Sequence, residues 1–184
     1  MMRPALATCL LLLAVIPAIA DEKPKLEEGF VSLYDGKSFD GWEGNLDVFE
    51  IRDGAIVGGS LKEKVARNEF LTTKQQYGDF ELRLQFKLLG GDRANAGIQV
   101  RSQRIPDHHE MIGYQADLGD NWWGCLYDER RHKLLTGPAE AERSKIVRRN
   151  EWNDYVIRCQ GLRVQLWING RQTVDYTEPD KSIP

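Results

Sequence analysis

From Phe80 to Leu88 every second residue is apolar: Phe80, Leu82, Leu84, Phe86 and Leu88 alternate with Glu81, Arg83, Gln85 and Lys87. A period of two is that of a strand with one dry face and one wet face. Ile98-Gln99-Val100-Arg101 repeats it. Tyr155, Ile157 and Cys159 share one face of a further strand, and Leu162, Val164, Leu166 and Ile168 share one face of its partner. Turn residues fall between these runs: Asp53-Gly54 between Val48–Arg52 and Ala55–Val57, Gln160-Gly161 before Leu162, and Asn169-Gly170 before the strand-like Thr173–Thr177. Such pairs tolerate the left-handed backbone of tight hairpins. Only the polar stretch from Ala139 to Val147 invites a helix, as a loop with a single turn. Many short antiparallel strands predict an all-β fold, either a sandwich of two sheets or a barrel. The last residues, Lys181 to Pro184, follow a strand with nothing to pair or cap it, so a C-terminally truncated domain is expected.

Composition narrows the class. The 184 residues carry 25 Lys and Arg against 28 Asp and Glu, a net charge of −3, with 41% apolar residues. This suits a globular chain. It disfavours a nucleic-acid partner, whose binding rests on basic clusters that neutralise phosphates. Residues 1–20 read as a secretory signal peptide: Arg3, an apolar run from Leu6 to Ile16, and the small-x-small site Ala18-Ile19-Ala20 before Asp21-Glu22-Lys23. The run is shorter than the roughly 20 residues of a spanning helix, so no stable membrane span is expected. A periplasmic or extracellular location follows. Residues 21–29 read as a linker and 30–184 as one domain. Cys125 and Cys159 remain after export. They read as buried thiols in preference to a disulfide, because a domain of this size can build its core without a staple.

Polar chemistry crowds into Arg101–Arg131. If Ile112 to Leu118 is a strand, Gln115 and Asp117 project from its solvent side while Tyr114, Ala116 and Leu118 project from the other. Gln99 and Arg101 occupy the outer face of the strand that carries Ile98 and Val100. A concave sheet bearing Arg, Gln, Asp and Tyr, rimmed by Trp122, matches a sugar: aromatic faces cover ring C–H groups, and planar polar groups meet hydroxyls. Ordinary solvated strand residues would look the same. Asp128 and Glu129 could simply pair with Arg130 and Arg131. Of Trp122 and Trp123 one belongs to the core, and Trp152 and Trp167 read as packing residues. His108-His109 reads as a loop pair or, with Glu110, as part of a divalent-metal site. No nucleophile elbow, phosphate loop or HExxH motif is present.

These residues carry a resemblance. Phe30-Val-Ser-Leu-Tyr34-Asp-Gly-Lys-Ser-Phe-Asp-Gly-Trp42, Tyr77-Gly-Asp-Phe80, Asn95-Ala-Gly-Ile98-Gln-Val-Arg101, Gly113-Tyr-Gln115-Ala-Asp117, Gly124-Cys-Leu-Tyr127-Asp128-Glu129, Glu151-Trp152-Asn153 and Trp167-Ile-Asn169-Gly170 together resemble the secreted 3-keto-disaccharide hydrolase family, also described as 3-keto-glucoside lyases. The resemblance implies a concanavalin A-like jelly-roll sandwich of two antiparallel sheets. It also implies cleavage of 3-keto-glycosides by elimination and then hydration, a net hydrolysis. Where many relatives have Glu and Gln in one strand, this chain has Gln115 and Asp117, so the carboxylate has moved. On this reading Asp117 is the base, Arg101 balances the enolate and Tyr127 donates to the leaving oxygen. Glu110 with His109 would hold a divalent metal, if the reaction uses one. Gln99, Gln115, Trp122, Asp128 and Glu129 would contact the glycoside. The rival expectation is a non-catalytic, lectin-like carbohydrate-binding module of the same fold. A retaining glucanase is a weaker rival, because the chain lacks a Glu-x-Asp-x-x-Glu run.

Overall fold

A computed structural model describes residues 26–181. The expected signal peptide lies outside the described residues. Residues 26–33 form a short unit of their own, with one turn in which Phe30 N–H donates to Glu27 O at 3.1 Å. The second unit begins at Tyr34.

Its strands are β1 Trp42–Glu43, β2 Phe49–Arg52, β3 Ala55–Gly58, β4 Thr72–Thr73, β5 Phe80–Phe86, β6 Asn95–Arg104, β7 Met111–Gly119, β8 Leu126–Glu129, β9 Lys133–Thr136, β10 Asn153–Gln160, β11 Arg163–Ile168 and β12 Arg171–Thr177. A single helical turn, α1, spans Glu140–Arg143, inside the one segment expected to hold it. Two four-stranded antiparallel sheets dominate. The first has the order β6-β7-β8-β9 and the second β12-β11-β10-β5; β1-β4 and β2-β3 are two-stranded ribbons. This is the expected antiparallel sandwich.

The alternation that suggested the strands also builds the core. Val100, Tyr114, Ala116, Leu118 and Leu126 come from the first sheet. Phe86, Tyr155, Ile157, Val164, Leu166, Ile168 and Val174 come from the second, and all are buried in one cluster. Each of the Val, Leu, Ile and Phe side chains stabilises the fold by roughly 1.5–3 kcal/mol relative to leaving it in water. Phe86 lies 6.2 Å from Trp123 and 5.6 Å from Tyr155, centroid to centroid. Trp123 is therefore the core member of its pair. Cys125 and Cys159 are both buried free thiols.

Three local expectations need correction. The β10–β11 hairpin pairs Gln160 with Arg163, so its turn is Gly161-Leu162, one residue later than the sequence suggested. Leu162 thus sits in the turn. Trp167 has the opposite parity to Leu166 and Ile168, and it lies on the outer face beneath Arg158, whose guanidinium is 5.2 Å from the ring. Trp152 precedes β10 and is 44% exposed, with Lys87 Nζ 5.1 Å above it. Neither tryptophan is core.

Candidate functional site

Register assembles one face of the first sheet. Gln115 on β7 stands between Gln99 on β6 and Tyr127 on β8. Asp117 faces Gly97, and Gly113 faces Glu129. Because Tyr114, Ala116 and Leu126 take the core face, Gln99, Gln115, Asp117, Tyr127 and Glu129 share the outer one. Trp122 joins them, edge-on to Tyr127 at 5.8 Å and 88°.

Asp117 was expected on a wet face, yet it is only 3% exposed. Gln115 Nε2 donates to its Oδ1 at 2.5 Å. Its backbone is held by the 120–125 loop: Asp117 N–H donates to Cys125 O at 2.9 Å, and Gly124 N–H to Asp117 O at 3.2 Å. Burial pushes the carboxyl up to about 7. The Gln115 hydrogen bond opposes this, and the negative charge of Glu129 adds to it. Glu129 is itself raised, first by burial and then by Glu110 and Asp128, against Arg130. Burial, Glu129 and Asp117 together raise Tyr127, so its hydroxyl keeps its proton at neutrality. Asp117, near neutrality and with no cation bonded to it, thus stands beside a second raised carboxyl, Glu129, on one face, an arrangement able to exchange protons.

The room for this arrangement comes from two glycines. A Cβ on Gly97 would lie 2.5 Å from Cγ and Cδ of Gln115, so Gln115 can lie across β6 only because residue 97 has no side chain. Gly113 combines φ 142° with a would-be Cβ 2.3 Å from Ser102 Oγ.

Not every expected residue reaches this face. β6 bulges between Val100 and Gln103, and Arg101 takes a left-handed φ of 48°. The bulge turns Arg101 off the outer face. Its Nη2 donates to Asp79 Oδ1 at 2.9 Å, its Nε is buried without a hydrogen-bond partner, and its charge is felt by the Cys159 thiol. Asp128 is likewise removed, because β8 parity places it with Leu126, fully buried. There Arg131 Nε donates to it at 2.6 Å, and His132 approaches through N–H at 3.2 Å and Nδ1 at 2.8 Å. Asp128 is an internal anchor, neither a sugar ligand nor a surface ion pair. Behind it Glu178 accepts from Tyr114 at 2.6 Å and from Tyr176 at 3.0 Å.

Glu110 and His109 lie at the Asn68 end of the face. Asn68 Nδ2 donates to both Glu110 oxygens, at 3.2 and 3.3 Å, and His109 Nδ1 is 3.3 Å from Asn68 O. His109 and Glu110 approach to 3.7 Å. No group of three or more His, Cys, Asp or Glu side chains that could hold a divalent metal gathers among the described residues. Sequence reasoning missed Ser102 and Asn68. A serine one residue beyond an arginine, in a strand that reads as regular, gave no signal.

Two solved structures from Parabacteroides distasonis, each provisionally assigned as a glycosyl hydrolase, share the fold. The one at 1.70 Å resolution is 19% identical, with a TM-score of 0.58 over 82% of this chain and 73% of its own. The one at 2.00 Å is 21% identical, with a TM-score of 0.56 over 75% of this chain and 67% of its own. No curated protein matches the chain. The sequence matches the 3-keto-alpha-glucoside-1,2-lyase-like domain over residues 29–183, and the chain belongs to that family.

Proposed function

We propose that the protein cleaves 3-keto-glycosides on the outer face of β6-β7-β8, with Asp117 as the base. The observation that carries this reading is a carboxyl group almost free of solvent, with its pKa near neutrality and no bonded cation, beside a protonated Tyr127 and the Trp122 ring. The family supplies the substrate class.

A ketone at carbon 3 acidifies the hydrogen on carbon 2. Ionised Asp117 takes that proton, and its electron pair forms the enolate. The enolate collapses to a double bond between carbons 1 and 2 as the bond from carbon 1 to the glycosidic oxygen breaks. Tyr127 O–H gives its proton to the departing oxygen. Water then adds to carbon 1, Asp117 returns its proton to carbon 2, and the water's spare proton restores Tyr127. The net reaction consumes one water and leaves Asp117 and Tyr127 as they began. Trp122 offers its ring to the sugar's C–H face, and Glu129 offers acceptors to hydroxyls. Arg101, engaged with Asp79, takes no part. On the reading of residues 1–20 as an export signal, the glycoside is met outside the cytoplasm.

The test is incubation of the purified protein with a 3-keto-α-glucoside, following release of the aglycone. Steady release at neutral pH is expected. If an unoxidised glycan binds and the keto-glycoside is never cleaved, the lectin-like module is the better reading.

A further inference from the structure

Gln99 lies on the site face with both ends of its amide engaged by neighbouring side chains. Its Nε2 donates to Gln115 Oε1 at 3.1 Å, and its Oε1 accepts from Ser102 Oγ at 2.7 Å. With the bond from Gln115 Nε2 to Asp117 Oδ1 at 2.5 Å, four side chains form an unbroken line: Ser102, Gln99, Gln115, Asp117. The direction of this line is dictated by its last member. An ionised carboxylate only accepts, so Gln115 must turn its NH2 toward it. Gln115 Oε1 then needs a donor, which is Gln99 Nε2, and Gln99 Oε1 needs another, which is the Ser102 hydroxyl.

Ser102 has two further acceptors within reach, Val100 O at 2.9 Å and Tyr114 O at 3.3 Å. Those carbonyls make a second arrangement possible. We propose that Ser102, Gln99 and Gln115 form a reversible hydrogen-bond relay whose direction inverts when Asp117 takes up a proton. In the protonated state the Asp117 O–H donates to Gln115 Oε1. Gln115 Nε2 donates to Gln99 Oε1, Gln99 Nε2 donates to Ser102 Oγ, and the Ser102 hydroxyl turns to Val100 O. Each amide rotates by half a turn, no proton travels along the line, and every bond present before has a counterpart after. Leaving a buried polar group unsatisfied costs about 1–3 kcal/mol, so a base that must hold its proton and return it gains from partners that follow both states. In this relay Gln99 and Ser102 act as positioning residues.

The proposal rests on the proposed function only for where the proton comes from, so its test needs no substrate. The groups facing Asp117 are Tyr127 and Glu129 from β8, Cys125 from the preceding loop and Tyr155 from β10. Of these Glu129 is the other carboxyl. The experiment is an NMR titration of the full chain, labelled with carbon-13 and nitrogen-15, following the Asp117 carboxyl carbon and the side-chain amide groups of Gln99 and Gln115. The Gln99 amide, which does not touch Asp117, should shift with the same midpoint as the Asp117 carboxyl. In Glu129→Gln both midpoints should fall together. In Ser102→Ala the Gln99 response should be lost while Asp117 still titrates. A flat Gln99 amide across the Asp117 transition overturns the relay, as does a Gln99 midpoint that stays behind in Glu129→Gln, or an Asp117 that never titrates. If Ser102→Ala does not fold, the wild-type and Glu129→Gln titrations still decide the question. Cleavage of a keto-glycoside with a flat Gln99 sinks the relay alone. A coupled titration without cleavage sinks the function alone.

Discussion

The outer faces of the two large sheets are built from the same alternating pattern and carry opposite electrostatics. On the second sheet Glu81 and Asp175 are neutralised. Glu81 accepts from Arg83 at 2.7 Å and from Arg158 Nε at 2.8 Å, and Asp175 accepts from Arg163 at 2.7 Å. Burial works to raise Glu81, but the two guanidiniums outweigh it and hold the group below its ordinary range. The Arg163 hydrogen bond does the same for Asp175. On the first sheet Asp117 and Glu129 are both raised, because burial acts there with no cation bonded to Asp117. A wet face in sequence is therefore ambiguous. What separates Glu81 and Asp175 from Asp117 is a guanidinium bonded to the acid.

The largest expected effect strikes the unpaired face. Asp117→Asn keeps the shape and removes the base, so it should cut turnover of a 3-keto-glycoside by on the order of a hundredfold or more while glycoside binding persists. Turnover at the wild-type rate would move the base elsewhere, with Glu129 next to examine. In the wild type, turnover should climb as pH rises through about 7, where Asp117 ionises.

The same residue should cost stability. Its folded pKa, about 7, lies above its unconstrained value of 3.8, so across that window the folded state holds a proton that the unfolded chain has released. Stability then falls as pH rises from 3.8 to about 7 and stays low above, by an amount on the order of a few kcal/mol. Urea denaturation should show Asp117→Asn gaining on the wild type between about pH 4 and pH 8. Parallel curves for the two proteins would mean that the carboxyl is not held in a desolvated place.

Glu81→Gln should behave with the opposite sign. The pKa of Glu81 is depressed, so its contribution is present above the ordinary glutamate range and disappears as pH falls through its folded value. The substitution should lower stability at neutral pH by about 1 kcal/mol or less, since Arg158 and Arg83 are partly exposed, and should leave turnover alone. Arg101→Met should likewise leave turnover near the wild-type rate. If that variant loses activity to the extent that Asp117→Asn does, the arginine reaches the reacting sugar after all.

Much of this was legible in the chain. Strict alternation in β5, β10 and β11 fixed which side chains make the core, and Asn169-Gly170 and Asp53-Gly54 marked hairpin turns where they occur. The site was legible only in part. Gln115 and Asp117 share a face because parity within β7 is unbroken. Arg101 was misplaced because a bulge adds residues without altering composition, and parity counted through it points the wrong way. Asp128 was misplaced for a simpler reason. Tyr127, Asp128 and Glu129 were read as a group, although adjacent strand residues face opposite sides. The burial of Asp117 was hidden because parity tells which face a strand residue takes and not what covers that face.

The two cysteines offer a clock for separate parts of the molecule. Cys125 precedes β8 beside Asp117, and Cys159 lies in β10 of the opposite sheet. Burial pushes Cys125 up to about 11 and raises Cys159 as well, so neither thiol presents thiolate to a reagent while the fold is closed. Alkylation must wait for a local opening, and its rate at each cysteine counts how often that part of the sandwich parts from its neighbours. Measured with and without a bound glycoside, the ratio of the two rates would tell whether occupancy of the β6-β7-β8 face quiets its own sheet alone or the whole sandwich.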